Sequence, residues 1–155
     1  MPIRVELVTQ ERKIFEEPEA DMVIVPGVAG ELGILPRHTP LLTTMKLGEL
    51  RVKKGNAEES FVIYGGVVEV RPDKVVVMAD AADMSAELSV EDIEAARNRA
   101  AQRLEEGLPP DEYQKMASEL RRAELALDVV RKTRSRAGTV RIASRADTSF
   151  EEQES

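Results

Sequence analysis

The sequence has no cysteine, no tryptophan and one histidine, and only 3% of its residues are aromatic. Without cysteine there is no disulfide framework, no thiolate metal site and no cysteine nucleophile. The single histidine has no metal-ligand cluster around it, so we expect no metal centre. The scarcity of aromatic rings argues against a stacking surface for single-stranded nucleic acid. The 42% of hydrophobic residues must therefore build an aliphatic core.

Long apolar runs are also missing, and no segment has the composition of a signal or transit peptide. We therefore expect a soluble intracellular protein that another protein would hold at any membrane. The net charge of −7 disfavours nucleic acid as a partner. No nucleophile, base and orienting group form a catalytic set, so we expect a chain that is not an enzyme and needs no cofactor.

The first half of the chain has the pattern of short strands. Apolar residues occupy every second position at its start, namely Ile3, Val5 and Leu7. Turn signals such as Lys54-Gly55-Asn56 separate the later apolar runs. Strands are predicted at Leu41–Met45 and from Gly48 to Lys53, and the last at Lys74–Ala79. This pattern predicts an antiparallel β-sandwich over residues 1–84.

After Met84 the apolar period lengthens to between three and four residues, which predicts helices. Ser89 is the expected N-cap of the first, Gly107 ends it, and Asp111 is the expected cap of the second. The fold class is thus α+β in two parts, with an antiparallel two-helix hairpin over residues 85–136. An isolated helix pair is marginally stable, so the hairpin should lie on the sandwich, bind a partner or exchange between them.

The end of the chain reverses its charge. Six basic residues and no acidic residue lie between Arg131 and Arg145, and acidic residues follow. Gly138 is expected to end the ordered structure. Residues 137–155 are therefore predicted to form a mobile charged tail.

The stretch from Asp21 to Thr44 is unusually rich in glycine and proline. Its spacing lacks the G-x-G-x-x-G fingerprint and the Lys-Ser/Thr of a phosphate loop. One interpretation is a pair of turns that connect strands. The other is a rigid surface loop that presents Glu31, Arg37 and His38 to another protein.

Within this stretch the run VPGVAGELGILPRHTPLL closely resembles the signature of the epsilon subunit of bacterial and chloroplast F-type ATP synthases, equivalent to the mitochondrial delta subunit. RAELAL at 122–127 resembles the second helix of that family. The resemblance covers most of the chain from Met1 to about Arg136, but not the tail.

The resemblance implies a non-catalytic central-stalk subunit of a proton-translocating ATP synthase, peripheral on the cytoplasmic face of a bacterial plasma membrane. Its partners would be the gamma subunit, the c-ring and the catalytic alpha and beta subunits. It would couple rotation to ATP synthesis and inhibit ATP hydrolysis through the hairpin. Carried over to this chain, the gamma and c-ring interface would contain Glu31, Arg37, His38 and Leu42.

The basic end of the second helix has two interpretations. Cations favour a helix C-terminus through its dipole, so these residues can be a solvated helix end. Alternatively they form an electrostatic face toward acidic segments of the catalytic head, through Arg121, Arg122, Arg131, Lys132 and Arg134.

Some members of the family bind ATP on the hairpin. Leu88 and Arg99 match positions of that nucleotide motif, but Asp92 stands where an arginine is expected, which reverses the charge that a phosphate would meet. We therefore expect weak or no ATP binding. The alternative function for the whole chain is a freestanding adaptor or a small-ligand-binding β-sandwich protein. An enzyme, the third possibility, would turn over substrate by itself.

Overall fold

The computed structural model describes residues 2–136 and 140–142. Its strands are β1 (Ile3–Val8), β2 (Lys13–Ala20), β3 (Met22–Gly27), β4 (Gly30–Ile34), β5 (Leu41–Lys54), β6 (Ala57–Val70), β7 (Lys74–Ala79) and β8 (Ala82–Met84). A short 3-10 helix (Ser85–Glu87) leads into two α-helices, α1 (Val90–Glu106) and α2 (Pro110–Ser135). The predicted fold class, a sandwich followed by a two-helix hairpin, is confirmed.

The strands follow one hydrogen-bonded path in the order β2-β1-β7-β6-β5-β3-β4, and β8 lies beside β6. All neighbours are antiparallel except β1 and β7, which are parallel. The two layers arise because β5 and β6 each have 14 residues and belong to both. The second half of β6 pairs with β7, whereas its first half pairs with β8.

The bend of β6 between the layers falls at two glycines. Gly65 and Gly66 have φ values of 89° and 137°, which residues with a side chain rarely adopt. A Cβ atom on Gly66 would lie 2.2 Å from the Met78 carbonyl oxygen. Glycine therefore lets β7 approach the bend closely.

The core between the layers is aliphatic, as the composition predicts, apart from one aromatic pair. Ile3, Val5 and Leu7 are fully buried, so the alternation at the start of the chain does face the core. Phe15 on β2 and Phe61 on β6 bridge the layers, with ring centroids 5.0 Å apart. This tilted contact suits the aromatic quadrupole.

The helix signals of the sequence are met with one exception. The Ser89 hydroxyl accepts a hydrogen bond from the Asp92 amide, and Gly107 ends α1. The predicted cap at Asp111 is wrong, because α2 already begins at Pro110 with Pro109 as its N-cap. Proline suits the first helical turn since its missing N–H would have no partner there.

Three strand predictions also need correction. The two strands predicted at Leu41–Met45 and from Gly48 to Lys53 are one strand, β5, because Gly48 fits against the ring of Pro26 without breaking the ladder. Lys74–Ala79 is not the last strand, because β8 follows it. β8 has three residues, too few for an apolar period to show.

Of the predicted mobile tail, only residues 140–142 lie within the described structure. These three are packed against the sandwich, which differs from the prediction. Val140 forms a parallel bridge with Ala57, and Ile142 is 3% exposed within the core. Burial of the apolar Ile142 side chain stabilises this segment. The sequence did not predict this burial because the residues around Ile142 are charged.

Candidate partner-binding surfaces

The sheet face that points away from the core carries two rows of side chains across β5, β6, β7 and β1. One row consists of the register partners Thr44, Val67, Met78 and Val8. The other consists of Leu42, Glu69, Val76 and Glu6. We call their apolar members the outer apolar face: Val8, Leu42, Val67, Val76 and Met78.

This face is uncovered within the described residues. Leu42 is 67% exposed and Met78 is 37% exposed, and a groove of about 630 Å³ runs between them. The hairpin instead packs on β6 at Val62 and Tyr64. A strand with one solvated face should alternate apolar and polar residues, so apolar residues on both faces of β7 indicate a surface that a partner covers.

The glycine-rich stretch forms a tight hairpin rather than a loop. Gly27 pairs with Gly30 across a two-residue turn, and a Cβ on Gly27 would lie 2.8 Å from the Gly30 carbonyl oxygen. The Val28 amide at the tip bonds to the Thr44 carbonyl at 3.2 Å, which ties the turn to β5. The turn therefore presents Val28, 57% exposed, and the exposed Glu31 beside it on β4.

The connection from β4 to β5 presents the second part of the predicted interface. Arg37 has φ 70°, and its amide donates to the Pro72 carbonyl at 2.8 Å, which places it beside the β6–β7 turn. The His38 ring Nδ1 lies 2.7 Å from the Thr39 carbonyl oxygen. Leu35, two residues before Arg37, is 56% exposed.

The four residues of the predicted gamma and c-ring interface thus lie on three backbone segments. Leu42 belongs to the outer apolar face, Glu31 to β4, and Arg37 and His38 to the β4–β5 connection. Sequence reasoning missed Met78 and Val67. The sequence signal for an apolar outer face was the run Val75-Val76-Val77-Met78, which is apolar at outward as well as inward positions.

The hairpin lies folded against the outer side of β6. Val62 is fully buried beneath Ala126 and Val129 of α2, and Ile93 of α1 packs at the edge of this cluster. Arg131 near the end of α2 pairs with Glu94 near the start of α1 at 3.1 Å, as expected of antiparallel helices. The interface is small compared with the sandwich core.

Tyr64 on β6 makes one polar contact within the sandwich and one with the hairpin. Its hydroxyl donates to Asp83 at 2.9 Å, and the guanidinium of Arg122 lies 5.4 Å from its ring centroid. Burial, followed by the neighbouring Asp83 carboxylate, raises the pKa of the Tyr64 hydroxyl well above its usual range. This environment therefore favours the protonated, uncharged hydroxyl.

The C-terminal end of α2 is joined to β5 and β6 by a second polar cluster. Arg136 pairs with Glu49, and the Thr133 hydroxyl lies 3.4 Å from Glu49 and 3.3 Å from Ser60. Ser60 in turn contacts the Ser85 hydroxyl at 2.9 Å. No sequence pattern linked these residues, because Glu49 and Arg136 are 87 positions apart.

The five basic residues predicted to contact the catalytic head do not share one face. Arg122 lies on Tyr64, Arg131 pairs with Glu94 on α1, and Lys132 pairs with Asp128 on its own helix at 3.1 Å. Arg121 and Arg134 are exposed, with no ion-pair partner within the described residues. In this conformation three of the five therefore make intramolecular contacts.

A groove of about 490 Å³ lies between the two helices and the sandwich. Its charged lining consists of Asp83, Asp92, Glu119 and Arg122. Arg99, the one residue predicted to contact a nucleotide, is exposed on α1 and is not part of this lining. Among residues 2–136 and 140–142, no cluster of acidic or histidine side chains could hold a metal ion.

No helix in the described part of the chain is long and apolar enough to cross a membrane. The fold and surfaces define a class: a β-sandwich with an uncovered apolar face and a helical hairpin held by a small interface. Residues 2–85 match the sequence model described as "ATP synthase, Delta/Epsilon chain, beta-sandwich domain". The chain belongs to this family.

Individual relatives agree with the family assignment. The chain is 41% identical to the ATP synthase epsilon chain of Dehalococcoides mccartyi over 133 residues, which are 85% of this chain and 94% of that one. It is 47% identical to the epsilon chain of Alkalihalophilus pseudofirmus over 102 residues, 66% of this chain and 76% of that one. A chain in the Euglena gracilis mitochondrial ATP synthase structure (OSCP, F1 and c-ring) shares the fold, with a TM-score of 0.63 at 21% identity over 86% of this chain and 80% of that one.

Proposed function

We propose that this protein is a non-catalytic central-stalk subunit of a proton-translocating ATP synthase. The sandwich binds the gamma subunit and the c-ring, so that rotation in the membrane is coupled to ATP synthesis in the head. The hairpin restrains ATP hydrolysis when it leaves the sandwich. The protein acts at the cytoplasmic face of the plasma membrane, where the complex holds it.

One observation carries this proposal: the outer apolar face is uncovered while the hairpin occupies the outer side of β6. A rotor subunit needs a permanent docking surface that does not depend on the state of the regulatory element. Leu42 and Met78 supply it, because burying exposed apolar surface drives association. The gamma subunit is the partner that we assign to this face.

The β3–β4 turn and the β4–β5 connection are assigned to the c-ring. Val28 and Leu35 are exposed apolar tips, and Glu31 and Arg37 stand beside them as charged groups. Such a mixture of apolar centre and charged rim is typical of protein interfaces. Arg37 and His38 are held by backbone contacts, so the surface is formed before binding.

The hairpin is assigned to the catalytic alpha and beta subunits. Arg121 and Arg134 are available in the docked conformation, whereas Arg122, Arg131 and Lys132 hold intramolecular partners. Release from the sandwich would separate Arg122 from Tyr64 and so enlarge the basic surface. Exposed charges are screened within about 8 Å at physiological salt, so inhibition should weaken as salt rises.

The acidic lining of the groove beside α1 supports the expectation that ATP binds weakly or not at all. Asp83, Asp92 and Glu119 would repel phosphate groups, and Arg122 is engaged with Tyr64. Isothermal titration should therefore detect no micromolar affinity. A micromolar dissociation constant would contradict this assignment.

The test is ATP hydrolysis by the cognate head with gamma, titrated with the full chain and with a version that stops after Leu88. We expect both to bind and only the full chain to slow hydrolysis. If both bind and neither inhibits, the regulatory half of the proposal is wrong. If neither binds, a freestanding adaptor replaces the central-stalk assignment.

A further inference from the structure

The last described residues cover an edge of the sandwich. Strand β6 pairs with β5 on one side, and β8 pairs with it on the other only over Phe61–Ile63. Val140 adds a parallel bridge at Ala57, and the Glu58 amide donates to the Val140 carbonyl at 2.8 Å. Uncovered strand edges invite pairing with other chains, so this segment also protects the edge.

The two residues after Val140 are anchored by an ion pair and by burial. The Arg141 Nε lies 3.2 Å from a carboxylate oxygen of Glu59, whose residue is 1% exposed. The Arg141 guanidinium also lies 3.9 Å from the Met84 sulfur. Ile142 is part of the same aliphatic core as Ile3 and Phe61.

The end of α2 is fastened to β5 and β6. Thr133 contacts Glu49 and Ser60, and Arg136 pairs with Glu49. Two attachments, one polar and one apolar, therefore flank the point where α2 ends at Ser135. We call Thr133, Arg136, Arg141 and Ile142 the C-terminal clasp.

We propose that the C-terminal clasp is a lock that holds the helical hairpin on the sandwich and must release before the hairpin can extend. The chain from Ser135 to Val140 can span at most about 18 Å. While Ile142 stays in the core, the C-terminal end of the 26-residue α2 therefore cannot move farther than about this distance from the sandwich edge, which is less than half of the helix's own length of about 39 Å. The lock concerns the isolated chain and does not depend on which partner competes for the hairpin.

The C-terminal clasp shifts the equilibrium between the docked and the released hairpin toward the docked conformation. A small helix interface by itself favours docking only modestly, and the clasp adds core burial and an ion pair whose acidic partner is almost fully buried. Removal of the clasp should therefore release the hairpin without changing the helices or the outer apolar face.

The absence of cysteine makes a direct test possible. Cysteines introduced at the exposed Lys46 on β5 and Gln102 on α1 would carry a donor and an acceptor dye in the full chain. Single-molecule energy transfer then gives the fraction of molecules with the hairpin released. We expect this fraction to rise about tenfold or more in I142A, in R141A and in a chain that stops after Arg136.

Two matched variants separate the lock from general destabilisation. V70A removes apolar volume from the same core without touching the clasp, and R103A removes an exposed arginine of α1. Neither should change the released fraction by more than about twofold. The proposal is overturned if the clasp variants behave like these controls, or if V70A releases the hairpin as strongly as I142A.

Discussion

Arg136 donates hydrogen bonds to Glu49 from both of its terminal guanidinium nitrogens, one to each carboxylate oxygen, at 3.4 and 2.5 Å. The pair joins the C-terminal end of α2 to the middle of β5. Glu49 has 10% of its side-chain area exposed, so water cannot fully replace its partner.

R136A should weaken hairpin docking by about 1–3 kcal/mol, because it leaves a largely buried carboxylate without its cation. The released fraction measured with the Lys46–Gln102 dye pair reports the change. E49Q and the double variant complete a cycle, and we expect the single effects to be non-additive. K115A, at an exposed position of α2, is the control that should leave docking unchanged. Additive effects in the cycle would show that the pair contributes no coupling.

Tyr64 should make docking sensitive to alkaline pH. Burial, to which the docked hairpin contributes, is the largest cause that raises its pKa, whereas Asp83 on β8 raises the pKa whether or not the hairpin is docked. Arg122 of α2 lowers the pKa in the docked state, but burial outweighs it, so docking favours the neutral hydroxyl. Below the ordinary tyrosine pKa of about 10 both states are neutral and docking is at full strength. Above it the released state ionises first, so docking weakens as pH rises.

The measurement is the released fraction across this pH range. Y64F should abolish the tyrosine-dependent part of the loss, whereas Y113F, at the exposed tyrosine of α2, should retain it. Identical alkaline profiles for Y64F and the parent chain would contradict this prediction.

The outer apolar face should determine binding to the stalk. L42E and M78E together are expected to weaken binding to the gamma-containing head by about tenfold or more, because they place charge in a desolvated interface. Both side chains are exposed in the free chain, so the melting temperature should change little. Y113E makes the same kind of change at an exposed residue of α2 and should bind with normal affinity. If the parent chain, the double variant and Y113E bind with equal affinity, this face is not part of the interface.

The bend of β6 should tolerate no side chain at Gly66. G66A is expected to lower the free energy of unfolding by more than about 1 kcal/mol, since φ 137° is unfavourable for alanine and its Cβ would overlap the Met78 carbonyl. G55N is the matched change, because φ 59° suits asparagine and nothing lies within 4 Å. Chemical denaturation measures the free energy of unfolding of both variants. If G66A leaves it unchanged, β7 can move away from the bend to make room for the side chain.

Local signals were sufficient for most elements. The Ser89 cap, the Gly107 stop and the alternation of Ile3, Val5 and Leu7 depend on neighbours a few residues away, and the structure has all three. The cap at Asp111 failed because a second local signal, Pro109-Pro110, fixes the helix start two residues earlier. β8 was not predicted because its three residues form a strand only through their pairing with β6.

By itself the sequence determined the two-part architecture, the aliphatic core and the absence of thiol chemistry, since composition and short periods fix these. Only the tertiary structure decided that Ile142 enters the core, that Arg136 meets Glu49 and that the basic residues of α2 point in different directions. Contacts between residues so far apart in the chain depend on how the strands bend and where the helices come to lie. A pattern within one segment carries no information about the surface that it will meet.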